Sequence, residues 1–159
     1  MMNSLVNTSV SQLGFDQGMQ ARINANSLFS NGLSRGKKIT FLKKLFGKQN
    51  ELQALSKVEP NTKPIQKHGG HIVTISLEKI VGSEGRAHDF DKHFRPLVNH
   101  LRDRWVGIAV AQRRGIPLPP VELIQKGNEY YVRDGHHRIS VAKTFGQATI
   151  EARIVYELA

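Results

Sequence analysis

The sequence predicts a compact α/β fold, a small mixed sheet with flanking helices, in the second half of its 159 residues. Two observations lead to this prediction. Segments 71–76, 121–133 and 149–156 carry the short alternating apolar runs that are typical of strands. Segments 89–113 and 137–145 place apolar residues three and four positions apart, as helices that face a core do.

The first 70 residues differ in composition from the rest. Residues 1–35 are rich in Asn, Ser, Gln and Gly and show no sustained period of 2 or 3.6, so they are expected to be mostly disordered or only weakly helical. Residues 1–70 hold 10 Lys and Arg against 3 Asp and Glu, a net charge of +7. The sequence therefore predicts a flexible basic arm over 1–70, suited to DNA, an acidic protein partner or anionic lipid, or else only a solvated tail.

A short amphipathic helix is predicted near 40–56 within this arm. Phe41, Leu42, Leu45 and Phe46 would share one face, and lysines flank it. Such a helix packs on its own domain, lies on a membrane surface or docks in a partner's groove, and the sequence does not choose among these.

The predicted domain, 71–159, contains a strand at 71–76, a helical region over 89–113 and a β-hairpin over 121–133. Arg113 and Arg114, followed by Gly115, are a typical helix end. The glycine in Lys126-Gly-Asn128 indicates the hairpin turn.

The most informative stretch follows the hairpin. Asp134-Gly135 is a turn dipeptide in which Gly can supply a positive φ, and a helix from about His137 to Phe145 should end at Gly146. Arg138 falls on the apolar side of the first helical turn, where free N–H groups already carry partial positive charge. The turn therefore predicts a cradle for phosphate or carboxylate. The alternative is that Asp134 caps the helix and pairs with Arg138, with nothing bound.

Composition excludes several classes of function. There is no cysteine, which excludes disulfides, thiolate metal sites and thiol catalysis and favours a cytoplasmic protein. The longest apolar run is far shorter than a membrane span requires. The first residues also lack the pattern of a secretory signal.

The residues from Pro120 onward resemble a known family. The hairpin, the Gly135-His136-His137-Arg138 turn, the helix of small residues and the last strand are similar to the N-terminal domain of the ParB/sulfiredoxin superfamily, also called the ParB-like nuclease domain. ParB proteins have Gly-Glu-Arg-Arg at this turn, and sulfiredoxins have Gly-Cys-His-Arg. The resemblance covers roughly 71–159.

The resemblance implies that the turn holds the phosphates of a nucleotide triphosphate, ATP or CTP, with Mg²⁺. It implies binding roles for Gly135, His137 and Arg138, and for Arg86 in the loop after residue 80. His136 stands where sulfiredoxins have their catalytic cysteine, so sulfinic acid reduction by that mechanism is excluded. A ParB-type operator-reading region is not expected, because no helix-turn-helix segment follows the domain.

Three functional hypotheses follow. The first is nucleotide binding at Gly135–Arg138, with Arg86 and Ser140 as further phosphate ligands and with Asp134 or Asp89 holding Mg²⁺. The second is phosphoryl transfer or nuclease activity with His136 and His137 as acid and base. The third is a non-enzymatic DNA- or protein-binding module that uses the basic arm. A zinc site of both histidines and Asp134 is disfavoured, since adjacent ligands rarely suit one tetrahedral ion.

Overall fold

The structure is a computed structural model that describes residues 3–58, 65–66 and 71–158, with side chains from 17–57 and 71–158. Residues 59–70, whose composition of Pro, Gly, Asn and Thr predicts a linker, lie outside the described residues, apart from positions 65 and 66. The described helices are α1 (Asn3–Leu45), α2 (Leu55–Val58), α3 (Arg102–Arg113) and α4 (His136–Thr144). The strands are β1 (Gln53–Ala54), β2 (Ile65–Gln66), β3 (Ile72–Ser76), β4 (Ile80–Ser83), β5 (Val121–Lys126), β6 (Glu129–Asp134) and β7 (Thr149–Leu158).

These strands form one mixed sheet, which confirms the predicted α/β architecture. The order is β1-β4-β6-β5-β7-β2, and β3 also pairs with β7. The parallel pairs are β1 with β4, β4 with β6, and β5 with β7. The antiparallel pairs are the β5–β6 hairpin and the pairs that β2 and β3 each form with β7. Because parallel neighbours end at the same edge of a sheet, the loops that follow β4 and β6 lie side by side.

The main core lies on the face of the sheet that α1, α3 and α4 cover. Leu123 and Val132 belong to this core, whereas their chain neighbours Ile124 and Tyr131 join a small second cluster, as the alternation of side chains along strands requires. The indole of Trp105 in α3 packs edge-on against Phe29 of α1, with ring centroids 5.7 Å apart. The core therefore ties helices from both halves of the chain to one sheet.

Helix α1 contradicts the disorder predicted for residues 1–35. Its 43 residues form one helix, and Ala25 and Phe29 are fully buried in the main core. This helix was not predicted because few apolar residues mark its buried side. Its stability depends on tertiary contacts, which a local sequence pattern does not show. Residues on both sides of position 70 share the core, although the division of the chain there stays a prediction. No helix in the described part of the chain has the length and apolarity to cross a bilayer.

The helix predicted near 40–56 is also placed differently. Thr40 lies inside α1, which ends at Leu45, and Gly47 has a φ of 65°. Leu52 and Leu55, which a helix extending to residue 56 would place on the same apolar stripe as Phe41, are instead buried after the chain has turned back. The predicted apolar face of α1 remains exposed.

The helical region predicted over 89–113 begins only at Asn99, where a 3-10 helix (Asn99–Leu101) leads into α3. Asp91 is fully buried, and its carboxylate accepts the backbone N–H groups of His93 and Arg95 at 2.9 Å. Phe94 has a φ of 60°. A side chain that captures nearby N–H groups competes with the helix for them, so residues 89–98 form an irregular loop.

Candidate functional site

The candidate site lies where the loops after β4 and β6 meet. Ser83, the last residue of β4, is paired with Val132 of β6. Three residues after Val132, Gly135 has a φ of 103°, and a Cβ there would lie 2.5 Å from a methyl carbon of Val121. Glycine is required by both conformation and space, which confirms the prediction of a sharp turn at Asp134-Gly135.

A cavity of about 380 Å³ opens between these loops and α3. Its charged lining consists of four arginines and two carboxylates, a net charge of +2 if both histidines are neutral. The lining residues are Glu84, Gly85, Arg86, Arg104, Ile108, Arg133, Asp134, Gly135, His136, His137 and Arg138. The predicted turn, the predicted Arg86 and both predicted histidines are thus brought together around one space.

Helix α4 begins at this cavity. It runs from His136 to Thr144, close to the predicted limits, and Gly146 follows it with a φ of 72°. Among the residues that the structure describes, no side chain caps its first turn. The alternative in which Asp134 caps the helix is therefore not realised, and beside the arginines the first N–H groups of α4 have no capping side chain from the described part of the chain.

Ser83 and His136 join the two loops through a buried hydrogen bond. The Ser83 Oγ lies 2.7 Å from His136 Nε2 and accepts the N–H groups of Gly85 and Arg86 at 3.2 and 2.8 Å. With both of its lone pairs used, the hydroxyl donates its proton to Nε2, which assigns the His136 proton to Nδ1. Burial, and next the charge of Arg86, lower the pKa of His136 to about 4. This histidine is therefore neutral at pH 7 and positions the loop.

His137 is the less satisfied of the two histidines. Only 6% of it is exposed, and its Nε2 has no hydrogen-bond partner among the described residues. Burial, followed by the charges of Arg104 and Arg86, lowers its pKa to about 4. A buried polar atom without a partner is costly, so a polar ligand that supplied one would stabilise the site.

Arg138 is held by internal partners. Its Nη2 donates to the Asp134 carboxylate, and its Nη1 donates to the carbonyls of Pro119 and Pro120, the latter at 2.9 Å. Only 11% of the Arg138 side chain is exposed. The predicted pairing of Asp134 with Arg138 is present, at the rim of a cavity that stays open. Arg138 thus braces the turn against the segment before β5.

The remaining predicted residues are divided between the cavity and the core. Arg86 lines the cavity, and its Nε lies 3.8 Å from a carboxylate oxygen of Asp89. Ser140 does not reach the cavity, because its Oγ is buried and accepts the indole N–H of Trp105 at 2.8 Å. Among the described residues, no three His, Asp or Glu side chains are grouped closely enough to hold a metal ion.

Four residues of the site were not identified in the sequence: Ser83, Glu84, Arg104 and Arg133. Arg133 lies 4.0 Å from Glu84 and stacks on Tyr156 at 4.6 Å. Arg104 is exposed, and within the described residues no carboxylate pairs with it. Its position on the solvent side of an amphipathic helix looks like that of any surface arginine, so only the tertiary structure reveals that it faces the cavity.

Comparison with solved structures finds a similar fold in sulfiredoxin from Arabidopsis thaliana. The two chains are 24% identical, the match covers 53% of this chain and 83% of the sulfiredoxin, and the TM-score is 0.39. No family model and no curated protein matches the sequence. The sequence resemblance pointed to the same superfamily, but at this identity and TM-score the similarity says nothing about the activity of this chain.

Proposed function

We propose that the cavity binds the phosphate groups of a nucleotide such as ATP or CTP. The observation that carries the proposal is Arg104, which has no carboxylate partner within the described residues and lines the same cavity as the start of α4 and the imidazole of His137, for which the described residues likewise supply no cap and no partner. Helix N-termini and arginine forks are the groups with which proteins most often hold phosphate. A volume of about 380 Å³ lies within the usual range for small-ligand sites.

The role of each residue differs from that in the sequence hypothesis. Arg104 and Arg86 would contact phosphate oxygens, the first N–H groups of α4 would donate to them, and Arg138 would hold the turn in place. Mg²⁺ would be bound through the phosphates themselves, because Asp134 already pairs with Arg138 and Asp89 lies beside Arg86.

The test is calorimetric titration of the whole chain with ATP, ADP, CTP and GTP, with and without Mg²⁺. A charge-assisted contact contributes roughly 1.5–3 kcal/mol, so Arg104→Ala should weaken the preferred nucleotide about tenfold or more. Arg114→Ala removes the same charge from an exposed position at the end of α3 and should change affinity by less than about twofold. Equal affinities for the native chain and Arg104→Ala would overturn the proposal.

A second readout comes from the histidines. An anion beside Arg86 and Arg104 offsets the positive charges that help to lower the pKa of His137. Binding should therefore raise that pKa, which nitrogen chemical shifts of the ring report directly. An unchanged titration of His137 in the presence of saturating ligand would place the phosphates elsewhere.

A catalytic function is the second candidate, and the neutral, unpartnered imidazole of His137 favours it. His136 is less suited to proton transfer, since its Nε2 is already bonded to Ser83. If this site transfers phosphoryl groups or cleaves phosphodiesters, phosphate release or DNA nicking should fall at least tenfold in His137→Gln while nucleotide affinity is kept. Activity that survives this change would reject the role.

A further inference from the structure

A second surface, distant in sequence from the cavity, lies at the end of α1. Phe41, Leu42, Leu45 and Phe46 are 63%, 54%, 66% and 77% exposed, and we name these four residues the α1 apolar patch. Scattered exposed apolar residues are ordinary on a protein surface, whereas four large ones within six positions are not.

The direction in which this patch faces is fixed by contacts on the opposite side of the helix. Asn50 is buried and accepts a hydrogen bond from Lys43 Nζ at 2.9 Å, and it donates to Thr40 Oγ1 at 3.0 Å. Gly36 is also buried, and a Cβ there would lie 3.0 Å from the Pro96 carbonyl. At 100° per residue, Gly36, Thr40 and Lys43 lie opposite Phe41 and Leu45. The patch therefore faces away from the domain, and the alternative in which it packs on its own domain does not hold.

Positive charge surrounds the α1 apolar patch. Residues 17–50 contain seven Lys and Arg and no Asp or Glu. Four of these cations are exposed beside the patch: Lys37, Lys38, Lys44 and Lys48. An anionic bilayer surface complements both properties, because its acyl boundary receives aromatic and leucine side chains while its headgroups attract lysine.

We propose that the end of α1 docks on the surface of an anionic phospholipid membrane, with the α1 apolar patch at the acyl boundary and the lysines among the headgroups. Nucleic acid accounts for the lysines but leaves four large apolar side chains in water. A protein groove accounts for the apolar residues, and it accounts for the absence of acidic residues over 34 positions only if it is also strongly acidic, whereas an anionic bilayer surface combines the two properties by its composition. The proposal is independent of nucleotide binding at the cavity.

The apolar contribution is tested by flotation of the whole chain with vesicles of phosphatidylcholine, with or without phosphatidylserine. The native protein should float with the anionic vesicles only. The double variant Phe41→Ser with Leu45→Ser should lower the vesicle-bound fraction at least tenfold, and it should fold normally because neither side chain is buried. Ile72→Ser with Ile116→Ser is the matched control, since those residues, in β3 and in the segment after α3, are 54% and 49% exposed.

The charge contribution is tested separately. Each lysine near an anionic surface contributes roughly fivefold in affinity, so Lys44→Gln with Lys48→Gln should weaken vesicle binding about tenfold or more, and added salt should do the same. Arg113→Gln with Arg114→Gln should have little effect. Absence of vesicle binding would overturn the proposal, as would binding to DNA that ignores the Phe41 and Leu45 substitutions. Self-association abolished by those substitutions would assign the patch to a second copy of the chain instead.

Discussion

Replacing Arg138 by Ala tests whether this arginine braces the fold or clamps a ligand. The substitution removes three hydrogen bonds, to one carboxylate and two carbonyls. Bonds to charged groups contribute roughly 1.5–3 kcal/mol when they are buried, but the Asp134 side chain is 58% exposed and water can replace part of the loss. The expected decrease in the free energy of unfolding is therefore about 2 kcal/mol, or roughly 4–8 °C in Tm for a chain of this length.

Urea unfolding measures this loss, and Trp105, the single buried tryptophan, reports it by fluorescence. Arg138→Lys should recover part of the loss, because an ammonium group can keep Asp134 but cannot contact both carbonyls in the planar manner of a guanidinium. Arg104→Ala is the matched control and should shift the free energy of unfolding by less than about 0.5 kcal/mol. The reasoning is refuted if Arg138→Ala unfolds with the native midpoint while nucleotide affinity falls, since Arg138 would then be the ligand clamp.

Three further results are expected. Gly135→Ala should destabilise the fold by about 2 kcal/mol or more in urea unfolding, because φ is 103° and the added methyl group has no space. Gly107→Ala, in open space on α3, is the control and should stabilise the fold by about 0.5–1 kcal/mol. Equal effects of the two substitutions would contradict the turn geometry. Ser140→Ala should cost about 1–3 kcal/mol by removing the acceptor of the buried indole and should leave nucleotide affinity unchanged in the same titration. The pKa values of His136 and His137 are about 4 in the folded chain, against 6.5 for the free side chain. Between pH 4 and 6.5 the unfolded state therefore binds more protons than the folded state. The free energy of unfolding should accordingly fall as pH drops from about 6.5 to 4. Replacing both histidines by Gln should make the free energy of unfolding depend less on pH over this range. A slope equal to that of the native chain would argue against the two histidines as its source.

The sequence predicts the second half of the fold well because local signals agree there. The hairpin turn at Gly127, the reversal at Gly135 and the helix end at Gly146 all have the positive φ that their glycines suggest. Each is a short-range feature in which one residue type decides the backbone conformation.

Elements whose structure depends on distant partners were not predictable in this way. Helix α1 is held where Phe29 meets Trp105, a contact between residues far apart in the chain. At residues 89–98 a helix was predicted where the structure has a loop. The spacing of Phe90 and Phe94 is helical, but the Asp91 carboxylate holds the backbone in another conformation.

The residues of the candidate site fall into the same two groups, those that local sequence identifies and those that only the fold brings to the site. His136, His137 and Gly135 were predicted because the turn chemistry lies in consecutive residues. Ser83 could have been suspected only by knowing that β4 ends beside β6, and Arg104 only by knowing where α3 lies. A sequence pattern can identify one side of a cavity, but the opposite side comes from whichever elements the topology brings near.

The position of β7 in the sheet has a consequence for how the chain is made. β7 lies between β5 on one side and β2 and β3 on the other, and it is the only strand with which β2 and β3 pair among the described residues. During synthesis β3 leaves the ribosome some seventy residues before its partner does. Until then β3 and one side of β5 expose unsatisfied ladder groups, so assembly of the sheet must wait for the last described strand, and a nascent chain stalled before Thr149 would be prone to aggregate.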